Sequence, residues 1–252
     1  MKTTFTTDWG NYAYTVMPFG LCNASKMFQR VMTQAFQKYL RISMEIFLDD
    51  FCTFNNRKDH LDWLGKCLDQ CDQFGISLNL EKCIFGVPSE KLLDHIVSQA
   101  GIETDPDKVN RIANFSRPDT VSGVRGFVGH VSYYRRFIKS FAILCQPLTN
   151  LLKKLMSDGT SPVWTHDCTL AFEELKQKLV MAPIFIFPCW TKQFHIYVDA
   201  SNVAIGAILS QKDDKNCDHP IYYASRQLVA AKRNYTTTER KDLGMIYSIQ
   251  KF

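Results

Sequence analysis

Two adjacent aspartates, Asp49 and Asp50, lie in the middle of an otherwise apolar and aromatic segment, residues 45–54. The period of this segment is that of β-strands, and the aspartate pair falls where two strands would turn back on each other. Burying two carboxylates at a strand end is costly unless a cation compensates their charge, so the pair predicts a divalent metal site and phosphoryl transfer. An alternative stays open, because Asp is a common turn residue and such a pair also closes hairpins that bind nothing.

A second motif lies about one helix upstream of the aspartates. Residues 16–25 read Val-Met-Pro-Phe-Gly-Leu-Cys-Asn-Ala-Ser, and Phe-Gln-Arg follows at 28–30. Together with the aspartate hairpin, this segment resembles the palm of reverse transcriptases, most closely that of gypsy-type LTR retrotransposons. The helix-start Pro of that family is Ser25 here, and the usual Tyr of its aromatic-x-Asp-Asp hairpin is Phe47. Further matches follow in the family's order at residues 78–83, 101–109, 133–138 and 147–152.

The resemblance assigns a role to both motifs. It places the Pro-Phe-Gly turn beside an incoming nucleotide, where Gly20 would let the backbone approach the ligand closely. It makes the aspartate pair the ligands of Mg²⁺ or Mn²⁺. The expected nucleotide pocket consists of Pro18, Phe19, Gly20, Phe47 and Leu48, and the expected metal ligands are Asp49 and Asp50. In the family a third carboxylate comes from a strand before the segment that matches residues 2–7, so we expect an incomplete metal site.

Positive charge is concentrated in one part of the chain. Residues 106–154 carry nine basic and two acidic side chains, a net charge of +7, whereas the whole chain carries +5. Such a segment is typical of a surface that follows a phosphate backbone without reading bases, although basic helix faces are often only solvated. By resemblance it is the thumb that holds the template-primer. The expected nucleic-acid contacts are His95, Arg135, Arg136 and Lys139.

Helical spacing in this thumb segment favours a structural role for its aromatic residues. Phe137 follows Tyr134 by three positions and Tyr133 by four, which favours one buried helix face rather than a base-stacking surface. A helix is predicted from about Thr120 to Phe127.

Residues 91–98 resemble the hairpin that grips the primer end. Where the family generally has Leu-Gly-His, this chain has Leu-Asp-His, with Asp94 in place of the glycine. Glycine allows φ > 0 or a close approach to a phosphate, whereas Asp tolerates the left-handed conformation less well and adds a negative charge. We therefore expect weakened primer binding.

A second domain is predicted after a Ser-Asp-Gly-Thr-Ser-Pro linker at 157–162 and an amphipathic helix that contains residues 171–179. Three strands, at about 194–201, 204–211 and 220–225, precede a helix that opens near Thr236. Asp199 and Glu239 resemble the first two metal ligands of an RNase H. An alternative for Glu239 is a capping box with Thr236 at the start of the helix. Because the family's later carboxylates follow further along, we expect marginal stability and no measurable nuclease activity.

The expected fold class is α+β: a partial polymerase palm and helical thumb, followed by an incomplete RNase H-like α/β domain. The predicted domains are a partial palm (1–100), thumb and connection helices (101–156), a linker with the amphipathic helix (157–192), and the N-terminal half of an RNase H-like domain (193–252).

Composition agrees with an intracellular globular protein, since 46% of residues are hydrophobic, 22% are charged, and no apolar run approaches the ~20 residues that span a bilayer. The nine cysteines are scattered and favour reduced thiols. The cluster His60, Cys67, Cys71 and Cys83 matches no standard zinc spacing.

The resemblance therefore implies part of an RNA-directed DNA polymerase with a fused RNase H. Its partners would be an RNA/DNA template-primer and deoxynucleoside triphosphates, and its cofactor Mg²⁺ or Mn²⁺. We expect it to be inactive in isolation. Two alternatives stay open: a non-catalytic nucleic-acid-binding remnant and a pseudogene product.

Overall fold

The computed structural model describes residues 3–55, 58–158 and 163–252. It divides into two compact units, residues 1–86 and 87–252. Of the predicted linker, residues 157 and 158 end a helix, and 159–162 lie outside the described residues. Within those ranges no helix is both long enough and apolar enough to span a membrane. The finer domain boundaries given above stay predictions.

The first unit is built from two small hairpins and two helices. Its elements in chain order are β1 (Thr4–Thr7), β2 (Gly10–Ala13), α1 (Ala24–Ala35), β3 (Met44–Phe47), β4 (Asp50–Thr53) and α2 (His60–Gln73). Strand β1 pairs antiparallel with β2, and β3 pairs antiparallel with β4. The second of these hairpins confirms the prediction from residues 45–54.

The core of this unit forms around α1, β3 and α2. Its buried side chains are Met32, Ala35, Phe36, Met44, Ile46, Cys67 and Cys71. Strand β3 alternates buried and exposed residues, so Met44 and Ile46 face this core while Glu45 and Phe47 face away. The Gln70 side chain donates to the Ala35 carbonyl at 2.9 Å and joins α2 to the end of α1. The aspartate hairpin therefore stands on a packed base.

A three-stranded antiparallel sheet opens the second unit. Its strands are β5 (Ser89–Leu92), β6 (His95–Ser98) and β7 (Gly101–Thr104), with β6 in the middle. Gly101 has φ +138°, and a Cβ at this position would lie 2.0 Å from the Phe185 carbonyl oxygen. The missing side chain lets Ile102 and Phe185 exchange two backbone hydrogen bonds of 2.8 and 2.9 Å. Any larger residue would separate these two segments.

A run of helices follows the sheet. They are α3 (Pro106–Ala113), α4 (Val121–Tyr133), α5 (Phe141–Leu144), α6 (Gln146–Asp158) and α7 (His166–Val180). Asp105, Thr120 and Thr165 precede α3, α4 and α7, and each accepts a hydrogen bond from a backbone N–H of the first turn. Such caps explain why the helices begin there. The predicted helix after Thr120 and the predicted amphipathic helix are both confirmed.

Large aromatic and aliphatic side chains fill the core between these helices. They include Val124, Phe127, Val131, Leu148, Phe172, Leu175 and Phe185. Tyr134 and Phe137 are each 1% exposed, which confirms that they belong to the core. The same prediction is wrong for Tyr133, which is 49% exposed. The prediction assumed one continuous helix from Tyr133 to Phe137. In the structure α4 ends at Tyr133, so residues three and four positions apart no longer share one helix face.

The chain ends in a second three-stranded sheet and a long helix. The strands are β8 (Phe194–Ala200), β9 (Ala204–Lys212) and β10 (Asp218–Gln227), and the helices are α8 (Ala230–Arg233) and α9 (Thr237–Lys251). The three predicted strands are confirmed, and they form an antiparallel sheet with β9 in the middle. Helix α9 packs on it through Gly244, whose Cβ position lies 2.8 Å from Val198 Cγ1.

Strand β10 is bound closely to the helices of the same unit. The Gln227 amide donates to the Ala142 carbonyl and to Thr149 Oγ1, both at 3.0 Å. The Ala142 amide donates to Ser225 Oγ at 2.9 Å. These bonds explain why residues 87–252 form one compact unit, in which the last sheet packs on the helices. The α+β class is confirmed.

Candidate functional sites

The aspartate hairpin turns on two residues. Phe47 at the end of β3 pairs with Asp50 at the start of β4, so Leu48 and Asp49 form the turn. Leu48 has φ +56°, in the left-handed region. That conformation costs a non-glycine residue roughly 1–2 kcal/mol, so other contacts must hold it.

The side chain of Gln29, on α1, supplies those contacts. Its Oε1 accepts the Leu48 amide at 2.5 Å, and its Nε2 donates to the Ile46 carbonyl at 3.2 Å. Sequence reasoning assigned no role to this residue. The signal was indirect, because Gln29 lies in the Phe-Gln-Arg segment of the resemblance but 19 residues from the turn that it binds.

Both aspartates of the hairpin are exposed to solvent. Within the described ranges, neither carboxylate has a hydrogen-bond or ion-pair partner in the protein. Exposed, unpaired carboxylates are the hard oxygen ligands that Mg²⁺ and Mn²⁺ take, so Asp49 and Asp50 fit such an ion. In the same ranges no cluster of three or more His, Cys, Asp or Glu side chains forms. The pair therefore offers part of a coordination shell.

An open groove of about 480 Å³ adjoins the hairpin. Its lining residues come from the start of α1 and the end of the hairpin: Ser25, Lys26, Gln29, Phe47 and Leu48. Two residues of the predicted nucleotide pocket, Phe47 and Leu48, therefore line this groove.

The Pro-Phe-Gly turn does not line that groove in this conformation. Phe19 is fully exposed, Pro18 is half-buried, and Gly20 has φ +86°. The left-handed φ explains the glycine at this position. A contact between this turn and a nucleotide stays a prediction.

The turn between β5 and β6 also has left-handed residues, Leu93 with φ +47° and Asp94 with φ +57°. Two tyrosine hydroxyls hold it: Tyr133 donates to the Leu93 carbonyl and Tyr134 to the Asp94 carbonyl, both at 2.7 Å. The Asp94 carboxylate accepts Lys108 Nζ at 2.8 Å. Asp94 therefore adopts the conformation expected of glycine, with its charge paired. Its effect on primer binding stays a prediction.

His95 lies inside the aromatic cluster beside this turn. Its ring centroid is 5.5 to 5.7 Å from those of Tyr133, Tyr134 and Phe137. Nδ1 bonds the Leu93 carbonyl at 2.7 Å, and Nε2 is buried without a partner. Burial lowers the pKa of His95 and outweighs the hydrogen bond to Leu93, which raises it. Neither ring nitrogen is free to meet a phosphate in this conformation.

The three predicted basic contacts divide into two kinds. The Arg136 guanidinium lies 5.0 Å from the Tyr222 ring centroid and 5.4 Å from that of Phe137, and its Nε is buried without a hydrogen-bond partner. Burial lowers the pKa of Arg136. Its cation lies against these two rings, and the side chain is only partly exposed. Arg135 and Lys139 are exposed and stay available to a polyanion.

Asp199 lies near the end of β8, paired with Gly206 of β9. It is exposed, and it lines a cavity of about 220 Å³ together with Lys139, Gly206 and Ser225. Two residues of opposite charge, Lys139 and Asp199, therefore line the same cavity. The structure thus joins two predicted site residues that are 60 positions apart in the sequence.

Glu239 forms the capping box that was the alternative to a metal ligand. Its Oε2 accepts the Thr236 amide at 2.7 Å and the Thr236 hydroxyl at 2.8 Å, and its own amide donates to Thr236 Oγ1. These hydrogen bonds lower the pKa of Glu239. The structure gives Glu239 a role in starting α9, and among the described residues it forms no metal-binding cluster with Asp199.

Comparison with known families agrees with both halves of this description. Residues 2–112 match the reverse transcriptase (RNA-dependent DNA polymerase) family, and residues 164–252 match the RNase H-like domain found in reverse transcriptase. A palm with an aspartate hairpin, followed by an RNase H-like sheet, defines the class as the polymerase and RNase H region of a reverse transcriptase. The chain belongs to the Pol polyproteins of gypsy-type and related LTR retrotransposons.

Curated relatives match along the whole chain. The Pol polyprotein of transposon opus of Drosophila melanogaster is 38% identical over 98% of this chain, and that of transposon 297 is 34% identical over 100%. That of transposon gypsy, from the same species, is 34% identical over 99%. The chain spans 23 to 25% of the length of these relatives.

Solved structures show the same fold. A foamy viral protease-reverse transcriptase in complex with double-stranded DNA matches with a TM-score of 0.83 and 21% identity, over 99% of this chain and 51% of that one. The same viral protein in complex with an RNA/DNA hybrid matches with a TM-score of 0.80 and 19% identity, over 99% of this chain and 33% of that one.

Proposed function

We propose that this chain is part of an RNA-directed DNA polymerase with a fused RNase H, in which Asp49 and Asp50 bind a divalent metal ion at the β3–β4 turn. The observation that carries the proposal is the turn itself, where two neighbouring carboxylates are presented to solvent beside an open groove. The match of residues 2–112 to reverse transcriptases supports the same function.

The groove residues suggest how a nucleoside triphosphate would lie. A metal ion at this site would neutralise phosphate charge and activate the attacking hydroxyl. Lys26 places a cation at the groove for a phosphate, and Phe47 and Leu48 offer apolar surface to the sugar or base. Pro18, Phe19 and Gly20 are proposed as a further wall.

For the template-primer we propose a contact with Arg135 and Lys139, two of the exposed cations of the helical region. The foamy viral enzymes of the same fold are in complex with an RNA/DNA hybrid and with double-stranded DNA, which supports a nucleic-acid partner here. Contacts of this kind are sequence-independent and weaken as salt rises.

For the RNase H-like region we propose Asp199 as the carboxylate that faces a substrate phosphate or metal ion. Glu239 Oε2 is engaged in the capping box with Thr236. The expected lack of measurable nuclease activity stays a prediction.

The first prediction tests the polymerase. Because Asp49 and Asp50 offer only part of a coordination shell, purified protein given a primed RNA template, deoxynucleoside triphosphates and Mg²⁺ or Mn²⁺ should show at most weak primer extension, and that extension should depend on Asp49. Asp49→Asn should reduce extension at least about 100-fold, because it removes charge at the metal ion. Asp69→Asn, on the exposed surface of α2, is the matched control and should retain activity. Extension that does not depend on Asp49 would contradict the proposal.

A second candidate function is nucleic-acid binding without chemistry. The observation in its favour is that Arg135 and Lys139 are exposed and do not belong to the metal site. In the same assay it predicts salt-sensitive binding of the hybrid with no primer extension.

A further inference from the structure

We propose that Gln29 is a positioning residue for the metal site, and that its side chain holds the β3–β4 turn in the one conformation that presents Asp49. The inference rests on the proposed function, because it concerns the geometry of the same two carboxylates. It starts from one pair of hydrogen bonds, between a helix side chain and the backbone of the hairpin.

The two bonds are complementary and use both ends of one planar amide. The Gln29 carbonyl oxygen accepts the Leu48 N–H at 2.5 Å, and the Gln29 NH₂ group donates to the Ile46 carbonyl at 3.2 Å. Ile46 belongs to β3 and is buried in the core, whereas Leu48 belongs to the turn. One side chain therefore links strand β3, which is packed in the core, to the turn that carries Asp49.

The need for this link comes from the backbone of Leu48. A leucine with φ +56° is strained. Without a hydrogen-bond partner for its N–H, the backbone at Leu48 would favour a conformation with negative φ. Because Leu48 immediately precedes Asp49, a change at Leu48 rotates the peptide that carries the Asp49 side chain. The bond from Gln29 opposes that change.

The Gln29 side chain is itself held by its own helix. Its NH₂ group donates to Thr33 Oγ1 at 3.4 Å, and the Thr33 hydroxyl is in turn fixed by donating to the backbone carbonyl of Gln29 at 2.7 Å. Chemistry also makes glutamine specific here. Glutamate would lack the donor for Ile46, asparagine would be one methylene short, and leucine would make neither bond.

The test measures the turn and the metal ion separately. We call the two hydrogen bonds from Gln29 to Leu48 and Ile46 the clamp. Amide hydrogen exchange of Leu48 reports the clamp without any metal, and an Mn²⁺ titration followed by electron paramagnetic resonance reports the metal site. Gln29→Leu should speed exchange at Leu48 at least about tenfold and weaken Mn²⁺ binding about 10- to 100-fold, the usual effect of losing an outer-shell partner. Gln34→Leu, an exposed residue on the same helix, is the matched control and should change neither.

A rescue variant separates positioning from general damage to the fold. Leu48→Gly removes the strain, because glycine adopts φ > 0 freely. In a Leu48→Gly background, Gln29→Leu should therefore weaken Mn²⁺ binding less than it does in the natural chain. Gln29→Glu, which keeps the acceptor for Leu48, should fall between the natural protein and Gln29→Leu in both measurements.

The outcomes distinguish this inference from the proposed function. If Asp49→Asn abolishes Mn²⁺ binding and Gln29→Leu leaves it unchanged, the metal site stands and the positioning role is overturned. If the natural chain binds no Mn²⁺ at the hairpin, the proposed function fails. The clamp is then judged by Leu48 exchange alone, and unchanged exchange in Gln29→Leu overturns it as well.

Discussion

In two hairpin turns of this protein, a side chain from outside the turn holds residues of left-handed conformation. Gln29 binds Leu48 in the aspartate hairpin. Tyr133 and Tyr134 bind the carbonyls of Leu93 and Asp94 in the β5–β6 hairpin. Strained turns persist only where neighbouring groups stabilise them, and both turns lie in segments that the resemblance assigns to function.

Replacing Tyr with Phe tests these contacts, because it removes the hydroxyl and leaves the side-chain volume almost unchanged. Tyr134→Phe removes a hydroxyl that is buried and bonded to the Asp94 carbonyl, so it should lower the free energy of unfolding by about 1 kcal/mol. Tyr133→Phe is the matched control. Its hydroxyl makes the equivalent bond, but the side chain is half-exposed, so the loss should stay below about 0.5 kcal/mol. Denaturant unfolding measures both, and equal losses would contradict this account.

Helix α9 shows how one side chain decides where an element begins. The capping box of Thr236 and Glu239 satisfies backbone donors at the start of the helix, and Gly244 lets the same helix approach β8. The cap and the glycine together fix α9 on the sheet. The capping box also accounts for a glutamate at position 239 without any metal ion.

This cap predicts a pH dependence. The folded-state pKa of Glu239 is lowered by the hydrogen bonds with Thr236, so its contribution to stability is present above the ordinary glutamate pKa of about 4.3 and is lost as the pH falls through the lowered value. Melting temperatures measured between about pH 6 and pH 3 should therefore fall more for the natural chain than for Glu239→Gln, which caps without titrating. Glu174→Gln, on the exposed surface of α7, should follow the natural chain. Identical curves for all three would rule out the capping contribution.

Features that depend on neighbours in sequence were predictable, and features that depend on packing were not. The aspartate hairpin, the three strands of the last sheet and the helix start at Thr236 follow from local patterns of polarity and capping. The bond from Gln29 to Leu48 joins residues 19 positions apart, and nothing near either of them indicates it. The contact of Arg136 with the Tyr222 ring likewise depends on how β10 packs against the helices. The sequence shows only the positive charge of Arg136, and that charge suggested a phosphate contact.

Considered as a whole, the chain is two compact units with one proposed site in each. The first unit presents Asp49 and Asp50 on a clamped hairpin. The second joins a helical region to an RNase H-like sheet, so Lys139 and Asp199 border one cavity. The sheet is stabilised by its docking on the helices, through Gln227 among others. Its stability is therefore a property of the whole second unit.

The central claim is that the two adjacent aspartates bind a divalent metal ion at the β3–β4 turn. Paramagnetic broadening of backbone amide signals by substoichiometric Mn²⁺ tests it directly, since the effect falls off steeply with distance from the ion. The account predicts that the signals of Leu48, Asp49 and Asp50 broaden first and that Asp49→Asn removes this effect. Broadening centred on another part of the chain, or unchanged by Asp49→Asn, would contradict it.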